Sequence, residues 1–76
     1  MKISVIGQGY VGLPLAIALA ESMNTVIGFD LDPMRVLEIT NGNLSLEFDQ
    51  KKILDLMSHN KYTPTANPND LGDSDA

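Results

Sequence analysis

The feature that most constrains the fold is the run Gly7-Gln8-Gly9-Tyr10-Val11-Gly12, which has the spacing G-x-G-x-x-G. A short apolar, β-rich segment, residues 3–6, comes directly before it. From residue 10 to about residue 23 the apolar residues follow helical spacing instead. The run therefore predicts a tight connection between a buried β-strand and the N-terminus of a helix.

Each glycine of the run has a mechanical reason to be there. Gly7 allows the tight turn, Gly9 lets a diphosphate approach the backbone, and Gly12 lets the helix pack closely on the strand. The free N–H groups and the positive end of the helix would then face the phosphates. We therefore predict a dinucleotide site formed by residues 7–12, that is Gly7, Gln8, Gly9, Tyr10, Val11 and Gly12.

An acidic residue ends the next predicted strand, Thr25–Phe29. Asp30 follows Gly12 by 18 residues, close to the spacing of an acid that binds the adenosine ribose. A carboxylate there would repel a 2′-phosphate, so the cofactor predicted is NAD rather than NADP. Asp32 competes for this role, but Pro33 follows it, so we assign Asp32 to the N-cap of the second helix.

Arg35 lies five residues after Asp30, in the first turn of that helix. In one interpretation it contacts the adenosine ribose. In the other it is a solvated side chain paired with Asp32 or Glu38. An arginine here could also accommodate a 2′-phosphate, which weakens the preference for NAD.

The rest of the chain continues to alternate between helix and strand. We predict a helix starting at Pro33 and ending at Thr40, another over Glu47–Asn60, and a short third strand over Tyr62–Thr65, which Pro64 confines to an edge or an end. The following are expected to face inward: Val11, Leu15, Ala18 and Leu19; Val36, Leu37 and Thr40; Phe48, Ile53, Leu54 and Met57. Residues 66–76 are expected to be loop or frayed tail.

This order predicts an α/β fold, a partial Rossmann fold with a parallel sheet of two to three strands (β-α-β-α-α-β), truncated before the fourth strand. Residues 1–76 would be the N-terminal part of an NAD-binding domain. Pro14 conflicts with a helix that starts near Tyr10, so the helix should open with a distorted turn. Asn24 is the expected left-handed residue after that helix.

Composition excludes several classes of function. Ten acidic residues against five basic ones give a net charge of −5, which argues against nucleic acid or an anionic membrane as partner. There is no Cys, and the single His, His59, lies near a helix end without a visible acid–base partner. We predict neither a catalytic residue nor a metal site in this chain. No segment reaches 18 apolar residues, so a cytoplasmic location is the default expectation.

Two segments carry a resemblance to a known family. Residues 2–16, with the filling Tyr-Val-Gly-Leu-Pro inside the glycine run, resemble the opening of the UDP-glucose/GDP-mannose dehydrogenase family, which also accounts for Pro14. Phe29-Asp30-Leu31-Asp32-Pro33 resembles the end of that family's second strand, and Asp30 and Arg35 match its two adenosine-side NAD contacts. Residues 71–76 resemble the segment that leads into its fourth strand.

The resemblance implies an enzyme that oxidises the C6 alcohol of a nucleotide sugar to the carboxylate. Such an enzyme uses two NAD per turnover and a thioester on a cysteine. The family's Val-Pro-Thr-Pro turn, acid, lysine and catalytic cysteine would all lie beyond Ala76, so this chain alone is expected to be inactive. Gln8 favours members that oxidise N-acetylated UDP-sugars. The alternatives are a 3-hydroxyacyl or 6-phosphogluconate type of dehydrogenase, or a module that senses a nucleotide without catalysis.

A consequence follows for the first strand. It is central in the full order 3-2-1-4-5-6, so without its fourth-strand neighbour it becomes an open apolar edge. Such edges pair with other chains, and we expect self-association through the first strand. NAD affinity should be weak, because the cofactor normally lies across the point between strands one and four.

Overall fold

The computed structural model describes residues 1–9, 11–45 and 48–72. The predicted order of elements, β-α-β-α-α-β, is confirmed. The strands are β1 (Lys2–Ile6), β2 (Thr25–Phe29) and β3 (Tyr62–Thr65), and the helices are α1 (Gly12–Glu21), α2 (Pro33–Thr40) and α3 (Gln50–Ser58). The predicted start of the last helix, Glu47, lies outside the described residues; the helix begins at Gln50, with Asp49 as its N-cap.

The three strands form a parallel sheet in the order β1-β2-β3. Gly28 in the middle strand pairs with Val5 on one side and with Pro64 on the other. Pro64 therefore lies in an edge strand, as its missing N–H requires. The partial Rossmann fold predicted from the sequence is confirmed.

The main core lies between one face of the sheet and the helices. Val5, Val26 and Tyr62 contribute from the three strands. The helices and the segment between α2 and α3 supply the remaining buried members of this cluster: Leu13, Ala16, Ile17, Ala20, Ile39, Leu44, Ile53 and Leu56. This packing brings the carboxyl ends of all three parallel strands to one edge of the sheet, where the glycine turn and Asp30 also lie.

Proline interrupts the hydrogen bonding at the start of α1. The N–H groups of Leu13 and Leu15 donate to carbonyls one turn earlier, at 3.1 and 3.3 Å, and Pro14 between them has no N–H to donate. The described helix begins at Gly12, with Val11 as its N-cap, and the predicted start, Tyr10, lies outside the described residues. The predicted distorted turn at Pro14 is not seen, because the bonds on either side of it keep the four-residue spacing of a regular helix.

The end of α1 differs from the prediction. The left-handed residue is Met23, with φ of 67°, and not Asn24. The Asn24 side chain instead caps the helix, because its Nδ2 donates to the Leu19 carbonyl at 2.8 Å. The amide thus adds a second bond to this carbonyl, which also accepts from the N–H of Ser22 at 3.2 Å, and the left-handed residue falls one position earlier.

The prediction of which residues face inward was wrong for part of each helix. Val11, just before α1, is 82 % exposed; within α1, Leu15 is 51 % exposed and Ala18 is exposed too. In α2 and α3, Leu37, Thr40 and Leu54 are exposed as well. Their places in the core are taken by Leu13 and Ile17 in α1, Ile39 in α2 and Leu56 in α3. Apolar spacing leaves the rotation of a short helix undetermined, and tertiary contacts fix it.

The segment after β3 is more ordered than the predicted loop. A 3₁₀ helix spans Pro68–Leu71, and the Asn67 side chain caps it by accepting from the N–H of Asn69 at 3.0 Å. Thr65, at the end of β3, donates its hydroxyl to the Asp70 carboxylate. Residues 73–76 lie outside the described residues. None of the helices in the described part of the chain has the length and apolarity needed to cross a lipid bilayer.

Two leucine-sized residues of α2 provide a test of the observed burial. Ile39 is fully buried and Leu37 is half exposed. We expect Ile39→Ala to lower the free energy of unfolding by about 2–5 kcal/mol, since it leaves a cavity, and Leu37→Ala to change it by less than about 0.5 kcal/mol. Urea denaturation followed by circular dichroism measures both, and equal losses would contradict the observed rotation of α2.

Candidate functional site

The turn between β1 and α1 is built around two glycines. Gly7 has φ of 87°, a left-handed conformation that favours glycine, and its N–H donates to the Phe29 carbonyl at 2.7 Å. A Cβ on Gly12 would collide with the carbonyl of Gly7. The helix therefore starts directly against the end of the strand, which is the geometry that the glycine spacing predicts.

The middle glycine faces open space. A Cβ on Gly9 would meet no atom within 4 Å. The hydrogen bonds found among the described residues give no protein acceptor to the N–H groups of Gly9, Val11 and Gly12. The N–H groups at the start of α1 thus lie free beside a residue without a side chain, and we call these three donors the donor ledge. Free N–H groups at a helix start suit an anion. Tyr10, also predicted to bind the cofactor, lies outside the described residues.

Asp30 lies at this turn and is held there by two backbone groups. Its Oδ2 accepts from the N–H of Gln8 at 2.8 Å, and its Oδ1 accepts from the N–H of Asp32 at 3.0 Å. These two bonds, Asp32's first, lower the pKa of the Asp30 carboxyl; the charge of Arg35 adds to the effect, and partial burial opposes it. The carboxylate is therefore ionised and fixed beside the donor ledge.

The competing acid has a different role. Asp32 is the N-cap of α2, and its Oδ1 accepts from the N–H of Met34 at 3.0 Å. Pro33 occupies the first helical position. The assignment of Asp32 to the helix cap is confirmed, and Asp30 is left as the acid at the glycine turn.

Arg35 reaches back from α2 to the same turn. Its Nε donates to the Gln8 carbonyl at 2.6 Å, and its guanidinium lies 5.5 Å from the centre of the Phe48 ring. It also approaches Glu38, at 3.9 Å, one of the two pairings considered from the sequence. A partly exposed pair at that distance contributes little. The contact of Arg35 with the glycine turn itself was missed by sequence reasoning.

Gln8 occupies an unexpected position. Its side chain is fully buried, although it belongs to a loop predicted to contact the cofactor. Its Nε2 donates to the carbonyls of Val5 and Gly7 at 3.1 and 2.8 Å, and its Oε1 accepts from the Tyr62 hydroxyl at 2.6 Å. The side chain thus points away from the open side of the turn. No local signal in the sequence indicates this, because its partner Tyr62 is 54 residues away.

A cavity also lies away from the glycine turn. It is a groove of about 390 Å³ between α1 and α3, and Ile17, Phe48 and Ile53 are among its lining residues. It includes none of the residues predicted to bind the cofactor. The glycine turn, Asp30 and Arg35 form an open ledge at the strand ends and not a closed pocket, so we base the candidate site on donors and charge.

Comparison with known proteins agrees with this geometry. Residues 1–75 match the UDP-glucose/GDP-mannose dehydrogenase family, NAD binding domain. The chain is 44 % identical over 54 residues to a UDP-N-acetyl-D-glucosamine 6-dehydrogenase of Salmonella typhi, an alignment that covers 70 % of this chain and 12 % of the relative. It is 52 % identical over 46 residues to a UDP-N-acetyl-D-mannosamine dehydrogenase of Methanococcus vannielii, covering 60 % and 11 %.

The fold is similar to solved structures of the same kind. The UDP-D-ManNAc dehydrogenase of Pyrococcus horikoshii superposes with a TM-score of 0.89 at 32 % identity, covering 97 % of this chain and 18 % of that one. A UDP-N-acetyl-mannosamine dehydrogenase of Staphylococcus aureus gives a TM-score of 0.78 at 30 % identity, covering 90 % and 17 %. The chain thus spans less than a fifth of the length of these relatives.

The position of Asp30 generates a prediction about pH. Its folded-state pKa is lowered, so its ionised form stabilises the fold above the ordinary aspartate pKa, and this stabilisation is lost as the pH falls through the folded value. We expect Asp30→Asn to destabilise the chain at pH 7, by about 1–3 kcal/mol, because the amide cannot accept from both N–H groups. The difference in unfolding free energy from the wild type should shrink as the pH is lowered below about 4. Urea denaturation across this range measures it, and a constant difference would contradict the ionised role.

Proposed function

Because the chain belongs to the UDP-glucose/GDP-mannose dehydrogenase family through its NAD-binding domain, we propose that it holds the diphosphate and adenosine of NAD for a nucleotide-sugar 6-dehydrogenase. The observation that carries this proposal is the juxtaposition at the glycine turn. Unused backbone donors of α1 lie beside the Cβ-free Gly9, and the fixed carboxylate of Asp30 lies next to them.

The residues present fit a dinucleotide. The N–H groups of Gly9, Val11 and Gly12 would hold the diphosphate, and Asp30 would accept from the hydroxyls of the adenosine ribose. Asp30 has lone pairs left for the ribose hydroxyls, because each of its carboxylate oxygens accepts one hydrogen bond within the protein. A 2′-phosphate would meet the ionised carboxylate, which supports NAD over NADP. Arg35 would supply the second adenosine-side contact, from the guanidinium nitrogens that do not bind Gln8.

The sugar substrate is inferred from the relatives. Two of them are named for UDP-N-acetyl-D-glucosamine and UDP-N-acetyl-D-mannosamine. We propose that the protein containing this chain oxidises the C6 alcohol of a UDP-N-acetylhexosamine to the carboxylate, with NAD accepting hydride. The chain itself contributes cofactor binding, and we assign no catalytic residue to it.

The family match argues against the other dehydrogenase types considered from the sequence, the 3-hydroxyacyl and 6-phosphogluconate types. The remaining alternative, a module that senses a nucleotide, is distinguished from a dehydrogenase by measuring NADH formation. The protein containing this chain should form NADH when given NAD and a UDP-N-acetylhexosamine, whereas a sensing module would bind NAD without turnover.

Two glycine variants test the proposed diphosphate site. Gly9→Ala should fold normally, since the added methyl meets no protein atom, but it would occupy the space through which the diphosphate approaches. We expect the NAD dissociation constant to rise about tenfold or more, equivalent to about 1.4 kcal/mol. Gly12→Ala should instead destabilise the fold itself, on the order of 4 kcal/mol, since the methyl collides with the Gly7 backbone.

Binding is measured by titrating the ¹⁵N-labelled chain with NAD to millimolar concentrations and following its amide resonances. The wild-type chain should show its largest shifts at Gly9, Val11 and Gly12. Unchanged binding by a folded Gly9→Ala variant, or wild-type shifts centred on α3, would refute the proposed site. NADP should bind more weakly than NAD.

We also propose that the isolated chain self-associates through β1. This strand lies at the edge of the sheet, and Ile6 at its end is 66 % exposed. Exposed apolar edges pair with other chains. Ile6→Lys should shift the chain towards monomer in sedimentation velocity, whereas Leu54→Lys, on α3, should not. A wild-type chain that remains monomeric at high concentration would contradict the proposal.

A further inference from the structure

The geometry points to Tyr62 as a positioning residue of the NAD site that acts through the buried side chain of Gln8. Tyr62 lies on β3, the strand at the far edge of the sheet from the glycine turn. Its hydroxyl nevertheless donates to Gln8 Oε1 at 2.6 Å. The inference rests on the proposed function, because it concerns how the same turn is held ready for the diphosphate.

Gln8 is bonded within the protein at every polar group. Besides its three side-chain bonds, its N–H donates to Asp30 Oδ2 at 2.8 Å and its carbonyl accepts from Arg35 Nε at 2.6 Å. Every polar atom of Gln8 thus has a partner within the protein, and its buried side chain is closed to a ligand. Its role is to fix the backbone that leads into Gly9. Four of its partners belong to β1, to the glycine turn or to the pair Asp30 and Arg35. The fifth, Tyr62, belongs to β3.

The path between the two side chains depends on Gly28. This residue lies in β2, between the strand that leads to Gln8 and the strand that carries Tyr62. A Cβ on Gly28 would collide with the amide of Gln8 and with the Tyr62 ring. The missing side chain thus opens the space in which the phenol and the amide meet beneath the middle strand.

The Tyr62 hydroxyl is suited to a permanent donor role. The side chain is 1 % exposed, and burial raises the pKa of the phenol well above its ordinary value. The phenol therefore stays protonated at every pH at which the protein would work. If the hydroxyl is removed, Gln8 Oε1 is left buried without a donor, which is costly for a polar atom.

The amide could recover a donor only by moving towards solvent. Such a movement would shift the Gln8 backbone relative to Asp30 and Arg35, and the donors of Gly9 and Gly12 would move with it. The link also works in the other direction, because coupling between two sites is reciprocal. NAD on the turn should slow hydrogen exchange of the β3 backbone amides, although β3 itself provides none of the proposed NAD contacts.

The test compares Tyr62→Phe with Ile53→Val. Both shorten a buried side chain of the same core, but Ile53 forms none of the recorded contacts with Gln8. We expect Tyr62→Phe to weaken NAD binding about three- to tenfold, as the loss of one buried hydrogen bond would, and to shift the ligand-free amide resonances of Gly9 and Gly12. Ile53→Val should lower the melting temperature without either effect.

Three outcomes would overturn the inference. Wild-type-like NAD binding by a folded Tyr62→Phe variant refutes it and leaves the proposed function standing. Equal weakening by Ile53→Val shows that only global stability matters, and also refutes it. A wild-type chain that does not bind NAD at millimolar concentrations refutes the proposed function and this inference together. The exchange measurement uses the unmodified chain, and unchanged β3 exchange on NAD addition likewise counts against the coupling.

Discussion

The contact between Gly12 and the carbonyl of Gly7 is the constraint on which the rest of this structure depends. It places the first turn of α1 directly on the end of β1, closer than any side chain would allow. That close approach also fixes the rotation of the helix. The residues that face the sheet and are buried follow Gly12 at helical spacing: Leu13, Ala16, Ile17 and Ala20. The same approach aims the free N–H groups of the turn at the space beside Gly9.

The charged residues of the site bind the protein's own backbone before any ligand is present. Asp30 accepts from the N–H of Gln8 and Arg35 donates to its carbonyl, so opposite charges hold the two peptide groups on either side of Gln8. The donors proposed for the ligand are neutral backbone groups, which suits a chain with a net charge of −5. Asp30, the acid that would bind a ribose, is thus already held in position by the glycine turn. Little reorganisation would be needed for a dinucleotide to bind.

Local signals predicted those parts of the fold that depend on local chemistry. The glycine spacing, the Asp32-Pro33 helix start and the edge position of Pro64 each follow from backbone conformation or a missing N–H, and each was confirmed. The burial of Leu37 and Leu54 was predicted wrongly, because the rotation of a short helix depends on what it packs against. The buried position of Gln8 could not be predicted, since its partner comes from a strand 54 residues later.

This last contact bears on how position 8 relates to the substrate. Glutamine there was associated, by resemblance, with members of the family that oxidise N-acetylated UDP-sugars. A side chain that is fully buried under the glycine turn cannot contact a sugar. Its side-chain oxygen accepts from Tyr62 instead, in the space left by Gly28. A glutamine in a glycine run is then better understood as one member of a three-residue arrangement across the sheet than as a recognition residue.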